Sequence, residues 1–128
     1  MNEQKAPHGI EWSRINGRRG YTWNPTAGCK HGCTWRMPDG KIAECYAKTM
    51  AESERLAPYF PRGFSRHYWH ENRLDEPLKL KEPSGIFVGS VADLFGHWTP
   101  VEQIQQVIGV MEKAGWHTFQ TLSKNPHR

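Results

Sequence analysis

"GIFVGSVADLFGHWTPVEQIQQVIGVMEKAGWHTFQTLS" (Gly85–Ser123) carries the reading of the fold. Ile86–Val88 follows the breaker "EPSG" and predicts a short buried strand. Thr99 is a natural N-cap, Pro100 suits the first helical position, and Glu102 completes a capping box with Thr99. Val101, Ile104, Val107, Ile108 and Met111 then recur at helical spacing and predict one apolar stripe, which Gly115 ends. "HTFQTLS" (His117–Ser123) reads as the next strand. Residues 86–122 therefore form a strand, helix, strand unit, whose strands are expected to be parallel and joined by a right-handed crossover.

Working upstream, "GFSRHYW" (Gly63–Trp69) predicts a strand, followed by a short helix around Arg73–Leu80 that Pro83 breaks. Cys45–Leu56 predicts a helix ending near Pro58, and "YTWNP" (Tyr21–Pro25) a first strand. Strand, loop and helix thus repeat, with a fourth strand last, which argues for an α/β fold with a parallel sheet. Only "KNPHR" follows Ser123, so no helix is available to cover the last strand. About four parallel units are half of an eight-fold barrel, and a parallel sheet needs cover on both faces. The expectation is that residues 1–128 are a single domain, the N-terminal part of a partial (β/α) barrel, truncated and with an open sheet edge.

Composition sets outer bounds. A chain of 128 residues with 37% hydrophobic content suits one domain. No run approaches the ~20 apolar residues of a membrane span, and the N-terminus lacks a signal pattern, so a cytoplasmic protein with no membrane partner is expected. The net charge of +4 would suit nucleic acid or another anion, but the basic residues are spread along the chain. The six tryptophans are equally scattered and fit core packing better than a stacking platform. No nucleophile motif or zincin pattern is present, which argues against hydrolytic catalysis.

All three cysteines, Cys29, Cys33 and Cys45, lie in one loop, residues 28–45. In a reducing compartment such a cluster points to metal or redox chemistry rather than to a structural disulfide set. Gly28 and Gly32 give the first pair a pliant backbone. Residues 34–44 separate Cys45 from Cys33, but Asp39–Gly40 is a strong two-residue hairpin signal. Taken as the turn, it pairs Arg36 with Ala43, Trp35 with Glu44 and Thr34 with Cys45. Cys33 then stands diagonal to Cys45, about 7–8 Å away between backbones, within reach of a shared metal. Cys45 also opens a predicted helix, whose dipole favours a thiolate. Spacing leaves three alternatives open: an iron–sulfur cluster, a zinc site that His31 could complete, or no metal.

Loops that follow parallel strands carry ligand sites. Here those loops hold the cysteines, then His70–Arg73, then Gly89, Ser90, Asp93 and His97, then Ser123, Lys124 and Asn125.

The blocks "IEWS" (Ile10–Ser13), "TWNPTAGCKHGC" (Thr22–Cys33), "CYAKTMAE" (Cys45–Glu52), "IFVGSVADLFG" (Ile86–Gly96) and "TFQTLSKNPHR" (Thr118–Arg128) resemble an uncharacterised, phage-associated protein family, itself similar to the radical S-adenosylmethionine (SAM) superfamily. The resemblance implies a partial (β/α) barrel of the radical SAM type. It implies a [4Fe–4S] cluster held by Cys29, Cys33 and Cys45, with SAM on the open iron as the source of a 5′-deoxyadenosyl radical. Tyr46, the aromatic after Cys45, and Ser90, Asp93, Ser123 and Lys124 at strand ends become candidates to hold SAM or an unknown substrate. The usual radical SAM loop has its third cysteine two residues after the second, whereas here the hairpin intervenes, and no glycine-rich "GGE"-like segment is evident. The leading expectation is an iron–sulfur, SAM-dependent radical enzyme or its N-terminal part. The alternative is a zinc-stabilised nucleic-acid-binding module without catalysis.

Overall fold

The computed structural model describes residues 1–128. In chain order the elements are β1 (Asn2–Glu3), β2 (Gly20–Trp23), β3 (Thr26–Ala27), β4 (Thr34–Arg36), β5 (Ile42–Glu44), α1 (Tyr46–Ala51), β6 (Tyr68–Trp69), α2 (Glu76–Lys79), β7 (Gly85–Val88), α3 (Val101–Lys113) and β8 (Thr118–Thr121). The main sheet has the order β1-β2-β7-β8, in which β2, β7 and β8 are parallel and β1 is antiparallel at one edge. No helix is long and apolar enough to cross a membrane.

Register fixes where the loops emerge. Trp23 pairs with Val88, and Val88 with Thr121, so the three parallel strands end level with one another. The loops beginning at Asn24, Gly89 and Leu122 therefore leave the sheet along one edge, where strand-end ligand sites form.

The strand, helix, strand unit is present with two adjustments. α3 begins at Val101 with Pro100 as its N-cap residue and no side-chain cap; Thr99 is buried, its hydroxyl without a partner. Once the start moves, the inward stripe moves with it. Val107 and Val110 are buried against the sheet, with Ile104 and Met111 packed beside them, while Val101 and Ile108 face solvent. Trp23, Ile86, Val88 and Leu94 complete this core, whose apolar burial is the main source of stability on this face.

Two further expectations need correction. Residues 63–69 yield only the short strand β6, and it pairs antiparallel with β3 in a separate sheet. The main sheet thus holds three parallel strands where four were expected. The helix expected over Cys45–Leu56 ends at Ala51, and the one around Arg73–Leu80 is a 3-10 turn followed by the single turn of α2. Pro77 suits the first turn of α2 but cannot extend the hydrogen-bond ladder.

Beneath the cysteine loop lies a second apolar cluster of Ala27, Ala47, Phe60 and Val91, with Cys45, Met50 and Phe64 packed against it. It joins β3, α1, the segment around residue 60 and the loop after β7. The cysteine loop therefore rests on a packed floor.

Candidate functional site

The cysteine loop folds back as a hairpin, one residue out of the expected register. Arg36 pairs with Ile42, Trp35 with Ala43 and Thr34 with Glu44. The turn is a three-residue loop, Pro38-Asp39-Gly40, with Met37 N–H donating to Lys41 C=O at 2.8 Å. A two-residue type I′ turn would need both Asp39 and Gly40 in the left-handed region, and only Gly40 adopts it, at φ 83°. Pro38 instead suits the entry to a type I turn that Gly40 closes as a bulge. The shift has a chemical consequence: Cys33 stands opposite Cys45 rather than diagonal to it. The Cys45 amide donates to the Cys33 carbonyl at 3.0 Å.

Cys29 is fastened from the other side. Its amide donates to Phe64 C=O at 2.8 Å, and the preceding Gly28 has φ 89°. A Cβ on Gly28 would lie 2.1 Å from the Arg66 carbonyl oxygen, so only glycine fits where the loop crosses this segment.

The result is one cavity of about 300 Å³ lined by Cys29, Cys33 and Cys45 together with Tyr46, Ser90, Asp93, Ser123 and Lys124. Every residue singled out from the sequence as a metal or cofactor candidate faces this space. All three cysteines are free thiols and partly exposed. Burial pushes the Cys29 thiol up, offset in part by the backbone hydrogen bond from His31, while Cys33, Asp93 and Cys45 add to the rise. Lys124 is raised above the ordinary lysine value by its interaction with Cys33 first, with Cys29 and Cys45 contributing further.

Asp93 is tied on both carboxylate oxygens. Its Oδ2 accepts from His31 Nε2 at 2.7 Å, from the Lys124 amide at 3.0 Å and from Asn125 Nδ2 at 3.1 Å; its Oδ1 accepts from the Phe95 amide at 3.0 Å. Burial alone would push this carboxyl up, but the hydrogen bonds from His31, Ser123, Lys124 and Asn125 more than offset it and hold Asp93 below the usual carboxylate range. Its lone pairs are spent on tying the loop after β8 to the cysteine loop. It braces the cavity wall.

His31, the possible fourth zinc ligand, turns its Nε2 to that same carboxylate and packs its ring against Trp98 at 4.9 Å. No three His, Cys, Asp or Glu side chains converge on a single ion position. Ser90 is also braced: its hydroxyl and the Asn24 side-chain amide bond each other at 2.9–3.2 Å, and its carbonyl accepts from the Tyr46 hydroxyl. Asn24 was missed by sequence reasoning. Its signal was its place at the end of β2, in "TWNP", where a polar side chain meets the next strand's loop.

On the other side of the Tyr46 and Ser90 contact lies a larger cavity, about 440 Å³, reached by Asn2, Gln4, Arg55, Tyr59 and Arg73. Tyr46 and Ser90 line both spaces.

A family described as "Protein of unknown function (DUF5131)" matches residues 8–128. The chain belongs to this family. No curated protein and no solved structure matches it. The matched span takes in the cysteine loop, the three parallel strands and the loops that close the cavity, so the site of this DUF5131 member lies wholly inside the family's common region.

Proposed function

We infer that this protein is an iron–sulfur, SAM-dependent radical enzyme, or the N-terminal part of one, with its cluster in the cysteine cavity and its three parallel strands the start of a partial (β/α) barrel. The observation that carries the reading is the gathering of Cys29, Cys33 and Cys45 around one cavity at the carboxyl ends of those strands.

The donor set suits a cluster. Three thiols are soft ligands of the kind that iron–sulfur clusters use. Ligands to a cube sit on separate irons and so stand around a cavity, whereas ligands to one zinc ion must meet at a point. Cys29, Cys33 and Cys45 would hold three irons and leave one open. When bound, a [4Fe–4S] cluster with SAM supplies one-electron chemistry that ends in hydrogen abstraction from a substrate.

The chain's own residues perform the rest. Lys124 brings its ammonium to Cys33 at the edge of the cavity. Asp93 holds Lys124 and His31 in place, and the Tyr46 hydroxyl with Ser90 forms the wall toward the adjoining cavity. That cavity has the dimensions of a small-molecule site and offers Asn2, Gln4 and Arg55 as polar contacts for SAM or the substrate.

The test is anaerobic reconstitution with iron and sulfide, followed by an absorption spectrum and metal analysis on the wild type and Cys45→Ala. Broad brown absorbance, about four irons per chain and loss of both in the variant would support the reading. Stoichiometric zinc with no colour would overturn it.

A further inference from the structure

Behind the cysteine cavity the fold brings Lys30 of the cysteine loop together with Arg62 and Arg66 of a later turn. Lys30, Arg62 and Arg66 are all exposed and line a hollow of about 390 Å³, whose remaining walls are His67 and Trp98. No carboxylate lies among these lining residues, and none of the three cations stands within 4.0 Å of one. Elsewhere on the surface ion pairs join Lys5 and Arg19 to Glu3, Lys41 to Asp39, Lys48 to Glu44, Arg73 to Glu76 and Lys79 to Asp75. Three unmatched positive charges around one hollow repel each other unless an anion sits among them.

The hollow is built rather than fortuitous. Arg62 and Arg66 come from one tight turn, in which Gly63 N–H donates to Phe60 C=O at 2.8 Å and Arg66 N–H to Gly63 C=O at 3.3 Å. That turn is clamped to the cysteine loop through the Cys29 amide on Phe64 and the close crossing of Gly28 over Arg66. Lys30 follows Cys29 directly and so belongs to the same fastening. Two polar atoms of the walls, His67 Nδ1 and Trp98 Nε1, are buried without a protein partner. His67 is fixed by its other nitrogen, which meets Gln103 Oε1 at 2.6 Å. Trp98 touches His31, which lines the cysteine cavity, so the two spaces share a wall.

We propose that Lys30, Arg62 and Arg66 form a phosphate-binding site beside the cysteine cavity. Two guanidinium groups offer paired N–H donors that match phosphate oxygens, and Lys30 adds a mobile point charge. The phosphate is that of a nucleic-acid strand or of a free nucleotide, and the site does not depend on which metal the cysteines hold.

The experiment titrates the full 128-residue chain, metal-free and after iron reconstitution, with a fluorescein-labelled oligothymidylate by anisotropy and with a nucleoside triphosphate by calorimetry. Arg62→Glu and Arg66→Glu are compared with Lys113→Glu, an equal charge change at the far end of α3. Each hollow variant should weaken binding about tenfold or more, and Lys113→Glu should change it little. For the single strand, log K should fall with log salt at a slope of about −2, as three phosphate contacts predict, and flatten in the hollow variants. Dependence on the hollow for the oligonucleotide identifies a strand as the ligand, and for the triphosphate alone a free nucleotide. Absence of binding to either, or equal weakening by Lys113→Glu, would overturn the site. Loss of iron without loss of phosphate binding would leave this site standing and count only against the cluster.

Discussion

Cys33 and Cys45 stand opposite each other at the base of the β4–β5 hairpin, joined by the Cys45 amide donating to the Cys33 carbonyl at 3.0 Å. Opposed residues on antiparallel strands bring their Cβ atoms to about 4.5–5.5 Å, close to what a disulfide requires. Cys29 reaches the same cavity from a separate backbone segment. Air oxidation of metal-free protein should therefore join Cys33 to Cys45 in preference to either pair with Cys29, and metal loading should block it. Peptide mapping after alkylation reads the pairing; a dominant Cys29 disulfide would contradict the hairpin register.

Asp93 makes the site's integrity dependent on pH. Its folded-state pKa lies below the ordinary value, so it contributes stability that is present above about pH 4 and is lost as pH falls through the lower folded value. Asp93→Asn removes a charged acceptor from three donors at Oδ2 and should cost about 2 kcal/mol at neutral pH. Below the folded pKa both forms are uncharged and the gap should narrow. Denaturant unfolding of both proteins at neutral and strongly acidic pH measures this; a gap that is the same at both would show that Asp93 acts by shape alone.

The corrected face of α3 can be checked by two substitutions. Val107 is fully buried against Trp23 and Ile86, so Val107→Ala should cost about 1.5–3 kcal/mol. Val101 is half exposed, and Val101→Ala should stay within about 0.5 kcal/mol of the wild type. Equal losses at the two positions would restore the stripe expected from spacing.

How far sequence alone reached follows from the range of the forces involved. The unit from Gly85 to Thr121 was legible because local rules decide it: an apolar run and a helical period. The β6 stretch was not, since Tyr68–Trp69 pairs with Thr26–Ala27, a choice made by tertiary contact. The hairpin existed as expected, but its register turned on one φ angle, at Asp39, that composition does not state. Strand-end position was enough to bring eight candidate residues to one cavity. It could not separate Asp93, whose oxygens are consumed by neighbours, from residues with a free side chain. Nor could it see that Lys30 shares one hollow with Arg62 and Arg66 of a separate turn.

Gly28 and Gly32 flank the first two cysteines and look interchangeable in sequence, yet the fold treats them differently. Both have positive φ, at 89° and 60°. A Cβ on Gly28 would meet the Arg66 carbonyl oxygen at 2.1 Å, while one on Gly32 would meet nothing within 4 Å. Gly32→Ala should cost only the left-handed backbone penalty, about 1–2 kcal/mol. Gly28→Ala adds a clash with backbone that cannot rotate away, so the cysteine loop must lift from the segment that Phe64 and Arg66 form, at about 3 kcal/mol or more in total. Because Cys29 is held through that contact, Gly28→Ala should also lower metal retention by the cysteines, whereas Gly32→Ala should leave it nearly intact. Chemical denaturation and metal content after dialysis give both numbers. Equal behaviour of the two variants would mean that the loop is not anchored where the structure has it.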